Sequence, residues 1–540
     1  MKTVLLTTIF CSIFCFGKAQ ISFEKTFGGN YNDEGIASFP STGGTIIIAG
    51  NTKSFGAGAG DIYLLKLNAQ GDTLWTRTYG GENDDVAMAV QQTADGGFII
   101  AGYSNSFSAS QDAYTIRTDA NGSVVWSKTF GGSGDDAAYN VKETSTGGFI
   151  IAGYTQSAGA GGKDVYLLSL DPEGNADWSK TYGSSDDEQA NSVALTADGG
   201  YFITGTAIVD GNPDVYIVKT DSSGTKVWSE TIGGAAAEEG KSGIQTTDGS
   251  YVITGNSNSF GHGSNDIYLI KTDAAGTLVF SKTFSTEGAD AGNEVKEVTG
   301  GYLIAGSITN AQGNTDACII GTDTAGTMLM ARSFGDIGDE SANDVFVTSA
   351  GGYVITGTAG IVAGSPDVYL VKTNTDGITT CSEKMTMVTE ADVISVVSTV
   401  ADNTAPMPAA VLYNPIVSIH SGCVSVTRCY INAGVLNTDT LASFLPMKLD
   451  VENATPRSVT TTAASAIVFY PNPTTGQFNI SGLQPGTKME IFDVTGKLVY
   501  QSVCNNELES IDITKEAKGL YFYRITGADV LLKSGKIVKE

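Results

Sequence analysis

The chain has 540 residues, with 58 Asp or Glu against 31 Lys or Arg and a formal net charge of −27. That length admits several domains or one large repeat array, and that acidity excludes the basic patches that nucleic acid and anionic membrane surfaces require. Only 16% of residues are charged while glycine reaches 67, a composition suited to many tight turns between short strands.

The first element is MKTVLLTTIFCSIFCFGKAQ. Lys2 supplies the positive start, residues 4–16 form an apolar run short for a membrane span, and Gly17 and Ala19 are small residues at cleavage-compatible spacing. Residues 1–19 therefore predict a secretion signal and a mature start at Gln20. No later stretch is long enough for a transmembrane helix. Beyond the signal, Cys318, Cys381, Cys423, Cys429 and Cys504 are odd in number and scattered, which is not a disulfide framework. Cys423 and Cys429 alone are close enough in sequence to close a small loop.

Residues 21–387 repeat. An aromatic-plus-glycine marker recurs at Phe27, Tyr79, Phe130, Tyr182, Ile232, Phe284 and Phe334, at spacings of 50 to 52 residues. A period near fifty marks a propeller or a solenoid. Each unit reads as four short strands of period two. The first follows an acidic turn. The second follows turns such as Ala94-Asp95-Gly96-Gly97. The third opens with aspartate, in DIYLLKL, DAYTIRT, DVYLLSL, DVYIVKT, DIYLIKT, DACIIGT and DVYLVKT, and the fourth reads LWTRTYG or VWSKTFG. Asp, Asn and Gly suit these turns because they tolerate left-handed backbone angles. Seven third strands predict seven blades over residues 20–387. The fourth-strand motif occurs eight times, at residues 21–27 and again at 378–385, and that surplus is what ring closure needs. The aromatic column Trp75, Trp126, Trp178, Trp228 and Phe280 reads as packing between neighbouring blades. The pattern GGSGDD, an alternating strand, then GGFIIAG resembles a bacterial surface-protein β-propeller repeat over residues 21–387. Kelch repeats place the double glycine after an apolar strand, whereas here it precedes Phe149-Ile150-Ile151.

Two columns of carboxylates run through the repeats. Six residues past each marker stand Asp33, Asp85, Asp136, Glu188, Glu238, Asp290 and Glu340, each followed two residues later by Gly or Ala. The third strands begin with Asp61, Asp112, Asp164, Asp214, Asp266, Asp316 and Asp367. Propeller topology brings both columns to one face. One reading has these carboxylates accepting backbone N–H bonds in tight turns. The other makes the first column calcium ligands. A catalytic pair is disfavoured, because acid and base need unlike environments rather than seven-fold repetition. No GxSxG occurs, and His262 and His420 have no evident partner in sequence. No catalytic residue, no cofactor beyond calcium and no nucleic-acid partner is expected.

Residues 388–466 lose the glycine markers. Thr, Val, Ala and Pro dominate, and residues 456–465 are Ser/Thr/Ala-rich. A β-rich segment beside the propeller and an extended stalk both fit. Residues 467–540 read as short alternating strands joined by glycine turns, a small β-sandwich. The fold class is thus all-β: a seven-bladed β-propeller, a β-rich or extended linker, and a small C-terminal β-sandwich.

In the last unit Tyr470-Pro471-Asn472-Pro473 with Gly476, then Asp493-Val494-Thr495-Gly496-Lys497, then Gly519-Leu520-Tyr521, and finally Lys536-Ile537-Val538-Lys539 occur in order. They resemble the C-terminal sorting domain of type IX secretion substrates in Bacteroidetes. The resemblance implies export across the inner membrane by the signal and across the outer membrane through recognition of this domain. It further implies removal of the domain, with release or attachment to surface lipopolysaccharide. The chain then reads as an exported cell-surface or secreted propeller that binds a glycan or a surface protein, or has a structural role. The rival reading is a polysaccharide-active hydrolase or lyase, which would need a cluster of unlike polar residues breaking the seven-fold pattern. The second-to-third loops, residues 51–60, 103–111, 154–163, 206–213, 256–265, 307–315 and 358–366, would form the recognition face.

Overall fold

In the computed structural model, residues 22–360 and 365–379 are described continuously, with shorter described stretches at 384–385, 388–393, 395–398, 424–431, 468–470, 477–481, 487–493, 497–504, 508–515, 517–527 and 530–539. The expected secretion signal, Cys423 and His420 lie outside the described residues. No described helix is long and apolar enough to cross a membrane.

Residues 33–372 fold as seven antiparallel sheets of consecutive strands. The first six each take four strands in order and span residues 33–79, 85–130, 136–182, 188–233, 238–285 and 291–334. The seventh has only three of its own, Glu340–Val347, Tyr353–Ala359 and Asp367–Lys372. Its fourth place is taken by the N-terminal strand Ser22–Gly28, which pairs with Asp367–Lys372 from Phe23↔Lys372 to Phe27↔Val368. Of the two terminal copies of the fourth-strand motif, the N-terminal one therefore closes the seventh sheet. The reason is visible in packing: Phe23 and Phe27 are wholly buried.

Seven apolar clusters join the sheets in sequence. One unites Phe130 and Ala113 of the second sheet with Phe149 and Leu168 of the third. Others join first to second, third to fourth, fourth to fifth, fifth to sixth and sixth to seventh. The seventh cluster unites Phe23, Phe27, Val368 and Leu370 with Ile46, Ile48 and Leu65 of the first sheet. The chain of clusters thus returns to its start, as in a β-propeller, where no sheet face is left over. The aromatic column lies in these seams. Trp75 packs edge-on against Phe98, with ring centroids 6.2 Å apart, Trp126 against Phe149 at 5.9 Å and Trp228 against Tyr251 at 5.7 Å.

The turns follow the chemistry expected of them. In Ala94-Asp95-Gly96-Gly97, Gly96 has φ +89, a region that costs a side chain strain, and the Asp95 carboxylate accepts the Gly97 N–H at 3.2 Å.

Residues beyond 379 add strands to the outer rims of four sheets. Lys384–Met385 pairs with the sixth sheet, Thr389–Asp392 with the fifth, Val396–Ser398 with the fourth, and Val424–Ile431 with Ser22–Gly28 of the seventh. The rim segment is pinned by charge as well as backbone, since Lys282 meets Glu390 at 2.6 Å and Asp392 at 2.8 Å.

The chain forms two compact units, residues 1–440 and 441–540. The second unit contains a three-stranded sheet of Val468–Tyr470, Gln477–Ser481 and Leu508–Asp512, and a four-stranded sheet of Leu498–Cys504, Thr487–Asp493, Gly519–Gly527 and Val530–Lys539. Met489, Ile491, Ile511, Ile513, Tyr521, Tyr523 and Ile525 form its buried core.

Candidate functional site

The two carboxylate columns meet in pairs, each across the junction of one sheet with the next. The glycine ending a fourth strand lies between the partners. A Cβ at Gly80 would overlap oxygens of both Asp61 and Asp85, one at Gly131 both Asp112 and Asp136, and one at Gly28 both Asp367 and Asp33. Gly183 likewise separates Asp164 from Glu188, Gly233 separates Asp214 from Glu238, and Gly335 separates Asp316 from Glu340. At the seventh junction Ser285 replaces the glycine between Asp266 and Asp290.

Each first-column carboxylate fastens a turn. Asp85 accepts the Gly81 N–H and the Ser106 hydroxyl, both at 2.7 Å. Asp33 does the same with Gly29 and Ser54, and Asp136 with Gly132 and Ser157. Glu188 accepts from Ser184, Glu238 from Gly234 and Ser257, Asp290 from Thr286 and Thr309, and Glu340 from Asp336. The second column latches the second-to-third loops: Asp61 accepts the Ala57 and Gly58 N–H groups at 3.0 and 3.1 Å, and Asp164 accepts Ala160.

These bonds leave some oxygens over. Oδ1 of Asp33, Asp85, Asp112, Asp136 and Asp266 is buried without a hydrogen-bond donor among the described residues. A buried carboxylate oxygen without a donor penalises the anion. Burial, followed by the Glu238 charge, raises Asp214 to about 6, and burial raises Asp266 to about 6 with Asp290 adding to it. Burial likewise raises Asp85, Asp112 and Asp290. Their folded-state pKa values exceed the unfolded value of 3.8, so the folded chain holds protons that the unfolded chain releases. That stability is complete below 3.8 and is lost as pH rises through about 6. Opposing carboxylates such as Asp198, lowered to about 2 by Thr196 and Lys219, act only below 3.8. Asp214 and Asp266 are partly solvated, so screening reduces each contribution to about 1 kcal/mol. The melting temperature should accordingly be about 2–4 °C higher at pH 4.5 than at pH 7.5. A scanning-calorimetry series showing a flat or rising trend over that interval would contradict the raised pairs.

His262 lies in an exposed loop, its Nδ1 3.3 Å from the Ser285 hydroxyl. Among the described residues no group of three or more His, Cys, Asp or Glu side chains is placed to hold a metal.

A second site was not legible as a motif. The seven inner strands are Asp33–Ser41, Asp85–Gln92, Asp136–Glu143, Glu188–Leu195, Glu238–Gln245, Ala291–Val298 and Glu340–Val347. Each slips register at the same place, skipping Ile36, Met88, Tyr139, Asn191, Lys241, Asn293 and Asn343 in turn. A bulge aims the skipped residue away from the ladder, and all seven line one cavity of about 470 Å3 on the common axis. The residue just before each bulge is Gly or Ala, and at some glycines the approach is close: a Cβ at Gly240 would lie 2.8 Å from the Gly205 carbonyl of the preceding sheet. Asn191, Asn293 and Asn343 donate to backbone carbonyls of the following sheet at 2.7 to 2.9 Å. They therefore brace the ring. The charged members differ from one another. Lys241 pairs with Glu239 at 2.5 Å, and Lys296 with Glu294 and, at 3.9 Å, Asp344. Burial raises Asp344, and burial together with the Lys296 charge lowers Lys142. The signal in sequence was the position three past each first-column acid, which holds five different residue types over the seven repeats while the residue before it is always Gly or Ala.

A smaller cavity of about 340 Å3 opens between the fourth and fifth sheets and is lined by Lys163, Asp187, Gln189, Pro213, Glu239 and Asn258 among others.

In the C-terminal unit, Tyr470 ends a strand, Asp493 pairs with Tyr521, Lys497 is exposed, and Gly519 opens a strand with φ +146. The Tyr521 hydroxyl donates to the Ala517 carbonyl at 2.6 Å. Pro471, Asn472, Pro473, Gly476 and Gly496 lie outside the described residues. Residues 468–540 match the family described as a secretion system C-terminal sorting domain. The chain is a propeller protein with a type IX secretion sorting domain. It is secreted or displayed at the cell surface. Residues 44–73 match a β-propeller family, the domain of unknown function DUF5122. The regulatory protein FlaEY of Caulobacter vibrioides is 25% identical over 164 residues, which is 26% of this chain and only 17% of that protein. PorZ, a surface component of the type IX secretion system of Porphyromonas gingivalis, aligns at 10% identity and TM-score 0.36 over 94% of this chain and 59% of its own. The polysaccharide lyase Uly1 aligns at 11% identity and TM-score 0.43 over 67% of this chain and 100% of its own.

Proposed function

We propose that the sorting domain delivers a seven-bladed propeller that binds a glycan or another surface protein through the loops of one face, without turnover. The seven apolar seams and the closing strand support the blade number, and the two sheets sharing one core support a C-terminal sandwich. Residues 1–19 would serve as the export signal, 20–387 as the propeller, 388–466 as its rim and linker, and 467–540 as the sorting domain, released or replaced by attachment to surface lipopolysaccharide.

The observation that carries the reading is how the carboxylates are used. Both columns direct their oxygens to turn N–H and hydroxyl groups of the scaffold. That leaves the seven second-to-third loops, which differ in sequence and length, as the surface able to discriminate ligands. A glycan array probed with the mature full-length chain tests this, followed by turnover assays on each hit. Saturable binding without product supports a binding module; an array without hits, repeated on isolated surface proteins, would sink it. The axial cluster of Tyr139, Lys142, Lys241, Glu294, Lys296 and Asp344 favours the second reading, a polysaccharide-active enzyme, and product formation would select it.

Calcium suits the carboxylate pairs, since a hard cation accepts carboxylate and carbonyl oxygens. If calcium occupies them, EDTA should lower the melting temperature and added calcium restore it. An unchanged melt would leave the pairs with protons and turn donors alone. In either case Asp136→Ala should cost about 1–3 kcal/mol, the penalty for removing a buried acceptor from the Gly132 N–H and the Ser157 hydroxyl.

A further inference from the structure

The axial cavity holds three lysines and three carboxylates, and one of the lysines makes no direct bond to the chain among the described residues. Its volume of about 470 Å3 falls in the ~300–1,000 Å3 range of small-molecule sites. One side of the wall is apolar, with Ile36 and Met88 from the first two inner strands. The rest of the wall carries three lysines, Lys142 on the third inner strand next to that of Met88, and Lys241 and Lys296 on the fifth and sixth. Two are matched: Lys241 by Glu239, and Lys296 by Glu294 with Asp344 close by. Lys142 makes no hydrogen bond or ion pair among the described residues. Glu294 and Asp344 act on it only from beyond bonding distance, being engaged with Lys296 and the Ser38 N–H; a partly buried ammonium group without a bonded acceptor is unfavourable, and the penalty is relieved when an anion enters. The nearby carboxylates set a limit on that anion. Glu239, Glu294 and Asp344 line the same wall and repel a second negative charge.

We infer that the axial cavity binds a small organic acid with one carboxylate, seated on Lys142, while its uncharged body lies against Ile36 and Met88. The site is on the axis and uses inner-strand residues, so it is separate from the loop-face reading and stands or falls independently of it.

The test uses the mature full-length chain, with D-glucuronate as probe and D-glucose as the partner that differs by the carboxylate. Isothermal titration should show glucuronate binding at least tenfold more tightly than glucose. Lys142→Gln should remove that preference and Lys142→Arg should retain it. Met88→Trp, which fills the apolar side without touching charge, should weaken glucuronate binding at least tenfold. Melting curves verify that each variant folds. Should Lys142→Gln not fold, methyl-labelled methionine in the wild-type chain gives the answer directly: the Met88 signal should shift with glucuronate and stay still with glucose. Equal binding of the two sugars, no binding of glucuronate, undiminished binding by folded Lys142→Gln, or an unmoved Met88 signal each overturns the inference. A loop-face ligand found on the array and unaffected by Lys142→Gln would leave the binding-module reading intact while this one fails.

Discussion

Deleting Ser22–Gly28 should unfold the whole repeat region in one cooperative transition at a much lower temperature. The strand supplies the fourth place of the seventh sheet, and its two phenylalanines fill the seam between the last sheet and the first. Without it Asp367–Lys372 becomes a bare edge and the rim strand Val424–Ile431 loses its partner. The apolar ring is then broken at one seam, and an open array without polar caps exposes its end faces. The single substitution Phe27→Ala, at a wholly buried position, should by itself cost about 3–5 kcal/mol, the range for deleting a buried aromatic ring. Urea denaturation followed by tryptophan fluorescence reads both. Trp75, Trp126, Trp178 and Trp228 sit in four different sheets, so a cooperative loss moves all four together. Loss confined to the seventh sheet, with the remaining signal unchanged, would show that the ring does not depend on closure.

Truncation after Ala466 should abolish appearance of the protein at the surface or in the medium while leaving a folded propeller in the periplasm. The deleted residues contain the whole sorting match, 468–540, and none of the seven seams. Fractionation with protease protection distinguishes this from misfolding: the retained protein should resist digestion. Intact mass of the exported full-length protein should further show a start near Gln20 and an end between residues 456 and 469. Efficient export of the truncated chain would remove the sorting role, and an exported chain still ending Lys539-Glu540 would remove the cleavage.

The architecture was legible because turns and strands repeat in register. Asp at the head of each third strand and Gly after each Asp turn are demanded by backbone geometry, and backbone demands recur with the fold. The axial site was not legible for the opposite reason. Ile36, Met88, Tyr139, Asn191, Lys241, Asn293 and Asn343 share a place, but only the three asparagines share a chemistry, so a search for chemistry recurring in every repeat passes over them. The pairing of the two acidic columns was also hidden. Asp61 and Asp85 belong to different repeats, and only the packing of one sheet on the next brings them to the two sides of Gly80. The rim placement of Lys384–Met385, Thr389–Asp392 and Val396–Ser398 was not legible, because an alternating strand does not say which sheet edge it joins.

The closing strand also has a history. It leaves the ribosome first, but Tyr369, which donates to Glu24 at 2.9 Å, lies 345 residues further along the chain. At ~5–20 residues per second, that is a wait of roughly 20–70 s with an unpaired edge. Such a strand invites association with other chains. Where the other fourth strands carry Thr76, Ser127, Ser179, Ser229, Ser281 or Ala331, this one alone carries a carboxylate, Glu24, beside Lys25. During the wait, adjacent charges keep the strand hydrated and oppose stacking with its own kind. Once its neighbours arrive, Tyr369 and Thr379 donate to Glu24, and Lys25 reaches Asp72 at 2.9 Å. The residue that guards the nascent chain against aggregation thus becomes, on closure, a buried acceptor only 1% exposed.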